Sequence, residues 1–276
     1  MASRFHLPKA RVRTLAAAAL MALATSGCLR KGPEVTGSIP SGSPEAARRD
    51  AQAWGARYEA NPADATAAMN YAGALRAGGQ HAQAVAVLQQ AAIRTPRDLA
   101  LLAAYGKALA DVGRYKEAAE VLGRAHLPEK PDWRILSVQG AVADQLGEHA
   151  LAQQYYEAAL KIMPGEPTVL SNLGLSFALS KRLADAEATL RKAAAAPAAD
   201  ARVRQNLALV LGLEGKFGEA EEVLRRDFSP AEAAANLSAM KSLVAQPNSW
   251  KAIRAADEKR PAKGAKVRAA EAKPAE

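Results

Sequence analysis

Small and apolar positions recur every 34 residues between positions 65 and 234. Alanine occupies all five positions of one column, at 84, 118, 152, 186 and 220, and a small residue occupies 72, 106, 140, 174 and 208. A third column holds large side chains, namely Leu88, Leu122, Tyr156, Leu190 and Leu224. A repeat of this length fits a hairpin of two amphipathic helices of about a dozen residues each.

Glycine and proline mark the ends of the predicted helices. Gly79, Gly113, Gly147 and Gly215 stand between the two helices of four repeats, and Lys181 takes that place in the other. Prolines at 62, 96 and 164 keep one register, and proline cannot continue a helix. The small columns let the two helices of a hairpin approach closely. Because no hairpin buries its own apolar face, the hairpins must stack to form a core.

This small–Ala–Ala–Pro skeleton resembles the tetratricopeptide repeat (TPR). It is met in 65–98, 99–132, 133–166, 167–200 and 201–234, which we therefore assign as five TPR units over 65–234. The resemblance implies an all-α fold, a right-handed superhelical solenoid of about five hairpins with capping helices. We expect an N-terminal capping helix in 45–64 and a C-terminal capping helix with an extension in 235–256. Ser229 and Pro230 open a helix there, over roughly 230–245, and Trp250 is expected to anchor the chain end.

The composition agrees with an alanine-rich helical protein and gives little support to catalysis. Of 276 residues 68 are alanine and only 5% are aromatic, which argues against a β-sandwich or barrel. The single cysteine excludes an intramolecular disulfide framework and a cysteine-cluster zinc site. No nucleophile-elbow, P-loop, dinucleotide or HExxH motif is present, and His81, His126 and His149 are scattered, most simply as packing residues. We predict no enzymatic activity, cofactor or metal.

The N-terminal residues 1–27 have the parts of a bacterial lipoprotein signal peptide. A basic start precedes an apolar run from Leu15 to Ala24, which is too short to span a bilayer, and Cys28 follows Ser26 and Gly27. We predict that Cys28 is lipidated, although an incidental cysteine behind an ordinary signal remains the alternative. Residues 28–44 are then a flexible tether, and Leu29 in place of aspartate favours the periplasmic face of the outer membrane. Residues 257–276 are predicted to be disordered.

The basic net charge of +9 carries no nucleic-acid signal. Four of these charges lie in 1–27, two lie in 257–276, and two of the remaining three are Arg30 and Lys31 beside the predicted lipid anchor. The repeats are therefore nearly neutral, and we expect no nucleic-acid partner.

The residues that suggest binding lie on the first helix of each hairpin, which lines the concave groove in the resembled fold. Asn70, Asn172 and Asn206 share one repeat position, and an amide column can grip an extended peptide backbone. The alternative is that these asparagines bond a neighbouring helix. Further groove candidates are Lys107, Arg134, Arg202 and Gln205, together with Arg76, Asp111 and Asp144. Leu175, Leu179, Leu209 and Leu213 suit an apolar partner, or are buried beneath the C-terminal helix.

The lipoprotein signal, tether, five hairpins and closing Ser-Pro-Ala-Glu helix together resemble the TadD-type lipoproteins of the tight-adherence (Flp) pilus system. That resemblance implies a non-enzymatic scaffold that helps a secretin pore to assemble or localise, with a protein or peptide partner in the groove. The alternatives are a pilotin-like lipoprotein, a lipoprotein of an outer-membrane protein insertion machine, and a module that presents a partner to a cell-envelope enzyme.

Overall fold

The structure, a computed structural model, describes residues 44–244, and within this range it contains twelve helices and no strand. In chain order they are α1 Pro44–Ala60, α2 Ala65–Ala77, α3 His81–Arg94, α4 Leu99–Asp111, α5 Tyr115–Gly123, α6 Trp133–Gln145, α7 His149–Ile162, α8 Pro167–Leu179, α9 Leu183–Ala195, α10 Ala201–Leu213, α11 Phe217–Leu224 and α12 Pro230–Val244. The predicted signal, Cys28, the tether, Trp250 and the C-terminal tail lie outside the described residues.

The helices form five stacked hairpins between two terminal helices. The first helix of each hairpin, called its A helix, is α2, α4, α6, α8 or α10, and the B helix follows it directly. Each A helix contacts its own B helix, the preceding B helix and the neighbouring A helices, while α1 packs on α2 and α12 packs on α10 and α11. The prediction of an all-α solenoid of hairpins with capping helices is confirmed.

Each A helix begins at an acidic residue, and these residues keep the 34-residue period. The side chains accept backbone N–H bonds of the first helical turn, at 3.0 Å from Ala67, Leu101 and Val203. An N-cap of this kind contributes about 1 kcal/mol to a helix. The caps are Asp64, Asp98, Asp132, Glu166 and Asp200.

The turn between the A and B helices requires a left-handed backbone at one position. Gly79, Gly113, Gly147 and Gly215 have φ between 77° and 81° there. Lys181, at the same repeat position, has φ 64° and is the one non-glycine residue with positive φ in the described chain. A side chain in this region costs roughly 1–2 kcal/mol, so the turn between α8 and α9 is strained.

We expect Lys181→Gly to raise the free energy of unfolding by about 1 kcal/mol, because glycine adopts this backbone conformation without strain. The matched control is Gly147→Lys in the preceding repeat, which should lower stability by a similar amount. Urea unfolding followed by circular dichroism measures both changes. If Lys181→Gly destabilises the chain, contacts of the lysine outweigh the backbone strain.

Small side chains hold the two helices of each hairpin together. A Cβ added at Gly106 would lie 2.5 Å from Leu122 Cγ, and one at Gly174 would lie 2.6 Å from Leu190 Cγ. Every alanine of the all-alanine column is fully buried. The predicted close approach is therefore present, and it leaves the opposite face of each A helix uncovered by its own hairpin.

Two B helices are shorter than the others. Helices α5 and α11 have 9 and 8 residues, against 14 in α3 and α7. Helix α12 then begins at Pro230, so the expected border at 234/235 falls inside it. A capping box fixes this start, since the Glu232 carboxylate accepts from the Ser229 backbone N–H at 3.0 Å.

Candidate interaction groove

The faces of the A helices that point away from their own B helices form a groove. Side chains spaced four residues apart project from the same face of a helix. We define the groove by twelve such residues: Ala103, Lys107 and Asp111 on α4, Ser137, Ala141 and Gln145 on α6, Ser171, Leu175 and Leu179 on α8, and Gln205, Leu209 and Leu213 on α10. Nine of these twelve residues are half-buried or exposed, while Ser137, Ser171 and Leu209 are buried. Asn172 on α8 bonds Ser137 on α6, and Asn206 on α10 bonds Ser171 on α8, so this line of residues runs from one repeat to the next.

Two of the three asparagines in the column form hydrogen bonds to the preceding A helix. Asn172 Nδ2 donates to Ser137 Oγ at 3.4 Å, and Asn206 Nδ2 donates to Ser171 Oγ at 3.0 Å. Both asparagines are half-buried, whereas Asn70 is exposed. For Asn172 and Asn206 the structure therefore shows the bond to a neighbouring helix, and a grip on a partner backbone stays a prediction.

We expect Asn206→Ala to lower the free energy of unfolding by about 1 kcal/mol, because it leaves the buried Ser171 hydroxyl without this donor. Asn172→Ala should cost less, since its bond to Ser137 is longer. The control is Asn70→Ala, which removes an exposed amide and should change urea unfolding by less than about 0.5 kcal/mol. Equal stability of all three variants would show that the amides contribute nothing to stacking.

Basic side chains surround the N-terminal half of the groove. Arg76 Nε lies 2.5 Å from Asp111 Oδ2, and Arg134 stacks on the Trp133 ring with its guanidinium carbon 4.5 Å from the centroid. Lys107 makes no hydrogen bond or ion pair within the described residues. Burial lowers the pKa of Lys107, and the like charges of Arg76 and Arg134 lower it further, while the carboxylates of Asp111 and Asp132 partly offset this effect. This part of the groove therefore holds a half-buried cation that forms no direct ion pair within the described residues.

Leucines line the C-terminal half of the groove. Leu175, Leu179 and Leu213 are half-buried, and Leu209 is 9% exposed. Two more predicted residues lie nearby on α10: Gln205 is half-buried, and the exposed Arg202 lies 3.5 Å from Asp200. Leu237 of α12 packs into a core with Leu207 and Leu211, and that core, as described, includes none of the four groove leucines.

Asp144 does not lie on the groove surface, contrary to the prediction. Its side chain is 4% exposed and accepts three bonds: from His149 Nδ1 at 2.8 Å, Ser176 Oγ at 2.8 Å and Tyr156 OH at 3.2 Å. Burial and the Asp144 carboxylate raise the pKa of Tyr156 well above its usual value. This network joins the third and fourth repeats, because Ser176 belongs to α8. His149 is thus a structural residue that acts through a hydrogen bond as well as by packing.

Other charged residues join the fourth and fifth repeats away from the groove. Lys216 Nζ lies 2.6 Å from Glu187 Oε2, and Arg191 also contacts that carboxylate. The hydrogen bond from Lys216, with those from Arg191 and Glu214, lowers the pKa of Glu187 to about 2. Arg204 pairs with Asp227 at 2.5 Å. The Lys216–Glu187 pair links the fourth and fifth repeats, whereas the Arg204–Asp227 pair lies within the fifth.

Comparisons with known proteins agree with this architecture. Residues 134–165 match a family profile described as tetratricopeptide repeat, and residues 47–125 match one described as anaphase-promoting complex, cyclosome, subunit 3. No curated protein sequence matches the chain significantly.

Three solved structures illustrate the structural similarity. A chain of the APC/C hetero-tetramer Cut9–Hcn1 superposes with TM-score 0.60 at 19% identity, over 73% of this chain and 40% of that one. PilF of Pseudomonas aeruginosa gives 0.52 at 19% identity, over 88% and 99%. MamA, from residue 41 to its end, of Desulfovibrio magneticus RS-1 gives 0.50 at 22% identity, over 60% and 97%. The chain folds as a tetratricopeptide-repeat solenoid.

Tetratricopeptide repeats are typical protein-interaction scaffolds, and the open groove is the surface through which such a scaffold can bind. Within residues 44–244 no cluster of three or more metal-binding side chains is present. None of the helices within residues 44–244 is long and apolar enough to cross a membrane. The groove offers amide, cationic and apolar contacts, which suit a polypeptide partner.

Proposed function

We propose that this chain is a non-enzymatic scaffold that holds a protein segment in its TPR groove during assembly of a pilus or secretion machine at the outer membrane. The open groove along the A helices α4, α6, α8 and α10 is the observation that carries the proposal. The tight-adherence (Flp) pilus is the proposed system, with secretin assembly or localisation as the proposed step. The signal-like segment before Cys28 supports a lipid anchor, because its order of basic, apolar and small residues is that of a lipoprotein signal.

The proposed mechanism is thermodynamic. Each CH₂ group of an acyl chain on Cys28 contributes about 0.8 kcal/mol of binding free energy when it is buried in the bilayer. Several chains therefore hold the protein at the membrane surface. Fifteen residues separate Cys28 from Pro44, and a fully extended segment of that length reaches at most about 50 Å. Anchoring therefore raises the effective concentration of the groove near a membrane-embedded partner without requiring new contacts.

The structural comparisons support the scaffold role through the fold alone. The similarity to PilF extends over 88% of this chain and supports proposing a pilus-associated role. At 19% identity, however, it identifies neither the binding partner nor the assembly step. The gene neighbourhood separates the alternatives. Genes for a pilus ATPase, a prepilin peptidase and a secretin nearby support the tight-adherence proposal, and their absence contradicts it.

Metabolic labelling with [³H]palmitate tests the anchor. We expect the wild-type chain to be labelled and to fractionate with outer membranes, whereas Cys28→Ser remains unlabelled and leaves the membrane fraction. The matched control is Ser26→Ala, which keeps a small residue before the cysteine and should be labelled normally. An unlabelled wild-type chain contradicts lipidation.

Assembly is tested in the same cells. If the chain acts at the membrane, Cys28→Ser reduces the amount of assembled outer-membrane pore and of surface pili, although the soluble chain is present at the wild-type level. A soluble chain that supports full assembly contradicts an anchored role and leaves only a soluble scaffold.

A further inference from the structure

The two halves of the groove differ in chemistry. One turn beyond the serine–asparagine contacts, the five A helices carry Gly73, Lys107, Ala141, Leu175 and Leu209 in order. A partner lying across the helices therefore meets one cation on α4, a small side chain on α6 and leucines on α8 and α10. The groove therefore has a cationic end and an apolar end, and a partner can bind it in one orientation only.

Small residues occupy the positions next to Lys107. The same column is glycine on α2 and alanine on α6, and Ala103 and Ala104 precede Lys107 on its own helix. Lys107 is half-buried and, within the described residues, has no ion pair, while Asp111 is already paired with Arg76. The ammonium is thus partly removed from water, and the carboxylates of Asp111 and Asp132 attract it only from beyond ion-pair distance. A carboxylate that approaches it gains a charge-assisted hydrogen bond.

The C-terminal half of the groove offers an apolar surface, and two of its leucines occupy the repeat position of Lys107. Leu175 and Leu179 lie one turn apart on α8, and Leu209 and Leu213 lie one turn apart on α10. Three of these four side chains are half-buried rather than buried, and the described core that includes α12 does not contain them. Apolar side chains of a partner would cover this surface and remove it from water.

We propose that the groove binds an extended segment of another protein that places a carboxylate side chain on Lys107 and two apolar side chains on the leucines of α8 and α10. This inference rests on the proposed scaffold function and specifies the chemistry of its partner. It predicts a motif in the partner rather than a general affinity for unfolded chains.

The helix spacing fixes the spacing of that motif. Packed helices lie about 8–10 Å apart, so α4 and α8, which are two A helices apart, are separated by about 18 Å. An extended chain advances about 3.3 Å per residue, so the acidic residue and the first apolar residue are about five or six residues apart. The second apolar residue follows about three residues later, because α8 and α10 are one step apart.

Charge complementarity favours another protein over the chain's own C-terminal segment. Residues 245–276, which follow α12, carry eight basic and four acidic side chains, so this segment has a net charge of +4. A cationic segment would place like charges near Lys107, Arg76 and Arg134, whereas an acidic partner neutralises them.

Selection of random 12-residue peptides displayed on phage, with the purified full chain as bait, tests the motif. We expect enrichment of aspartate or glutamate in one half of the selected peptides and of leucine, isoleucine or phenylalanine in the other, at the stated spacing. Fluorescence anisotropy of the best labelled peptide then measures its Kd.

Two substitutions test the two contacts. Lys107→Gln should weaken binding of the acidic peptide by about tenfold and leave the Kd of its Glu→Gln version unchanged. Leu175→Asn should weaken both peptides. The control is Arg48→Gln on α1, which removes the same charge from an exposed position outside the groove and should leave both Kd values unchanged. Circular dichroism confirms that each variant is folded.

The outcomes separate this inference from the proposed function. Peptides whose binding depends on Leu175 but which show neither acidic enrichment nor dependence on Lys107 overturn the inference and leave the scaffold intact. If no selected peptide depends on the groove, both fail. If peptides bind only to a chain that ends at Val244, the C-terminal segment occupies the groove, and the inference is again overturned.

Discussion

Gly140→Ala is expected to lower the free energy of unfolding by about 2 kcal/mol. A Cβ at this position would lie 2.6 Å from Tyr156 Cε1 and 2.7 Å from Tyr156 Cζ, closer than any real carbon contact. The ring is 2% exposed, and its hydroxyl is bonded to Asp144, so it has little freedom to withdraw. Overpacking of a core costs about 1–3 kcal/mol, and the better helix propensity of alanine offsets up to about 1 kcal/mol of this.

The control is Gly123→Ala on α5, where a Cβ meets no atom within 4 Å. This variant should be neutral or slightly more stable, so the two glycine-to-alanine changes are expected to have opposite signs. Guanidinium unfolding followed by circular dichroism and by tyrosine fluorescence measures both. If Gly140→Ala is as stable as Gly123→Ala, the third hairpin is packed less closely than the structure shows.

Of the substitutions proposed, Asp144→Ala is expected to be the most destabilising, and it should lower the free energy of unfolding by about 3–4 kcal/mol. It removes the acceptor of three hydrogen bonds at once and leaves the Ser176 hydroxyl, which is fully buried, and the Tyr156 hydroxyl without partners. Each buried polar group left without a partner costs about 1–3 kcal/mol. The loss should fall on the contact between the third and fourth repeats, because Ser176 comes from α8.

Asp144→Asn is the milder companion, because its amide oxygen still accepts bonds. We expect Asp144→Asn to lower the free energy of unfolding by about half as much as Asp144→Ala does. Asp111→Ala is the matched control: this aspartate is 31% exposed, pairs with Arg76 at the surface and should cost less than about 1 kcal/mol. Hydrogen exchange should show early opening of α8 and α9 in Asp144→Ala. Equal stability of the Asp144 and Asp111 variants contradicts a role for this network in stacking.

The repeat period predicted the hairpins because packing within a hairpin is local and repeated. A small residue in one column and a large one 16 residues later specify a contact that recurs five times, as for Gly106 with Leu122. The acidic N-caps follow the same period and were an unused sequence signal for the starts of the A helices. The turn glycines likewise indicate a left-handed backbone. Lys181 adopts the same backbone conformation without being glycine, and this costs backbone strain.

The polar contacts between repeats could not be predicted from that period, because each occurs once or twice. Asp144 shares a column with Arg76 and Ala110, so its repeat position does not indicate burial. Its partners come from two other helices, α7 and α8, and the tyrosine at 156, where the other repeats have leucine, was the one irregularity in the sequence that pointed to it. Asn172 and Asn206 were placed on the groove side, but their serine partners depend on the side-by-side register of the A helices.

Photo-crosslinking in cells tests most directly whether the concave groove binds a protein partner. Benzoylphenylalanine is placed at Leu175 in the groove and, as a control, at Gln90, an exposed position on the B helix α3. We expect a discrete crosslinked protein with Leu175 and none with Gln90, and loss of the adduct when the partner gene is deleted. Adducts at Gln90 with none at Leu175 would contradict the groove as the binding surface.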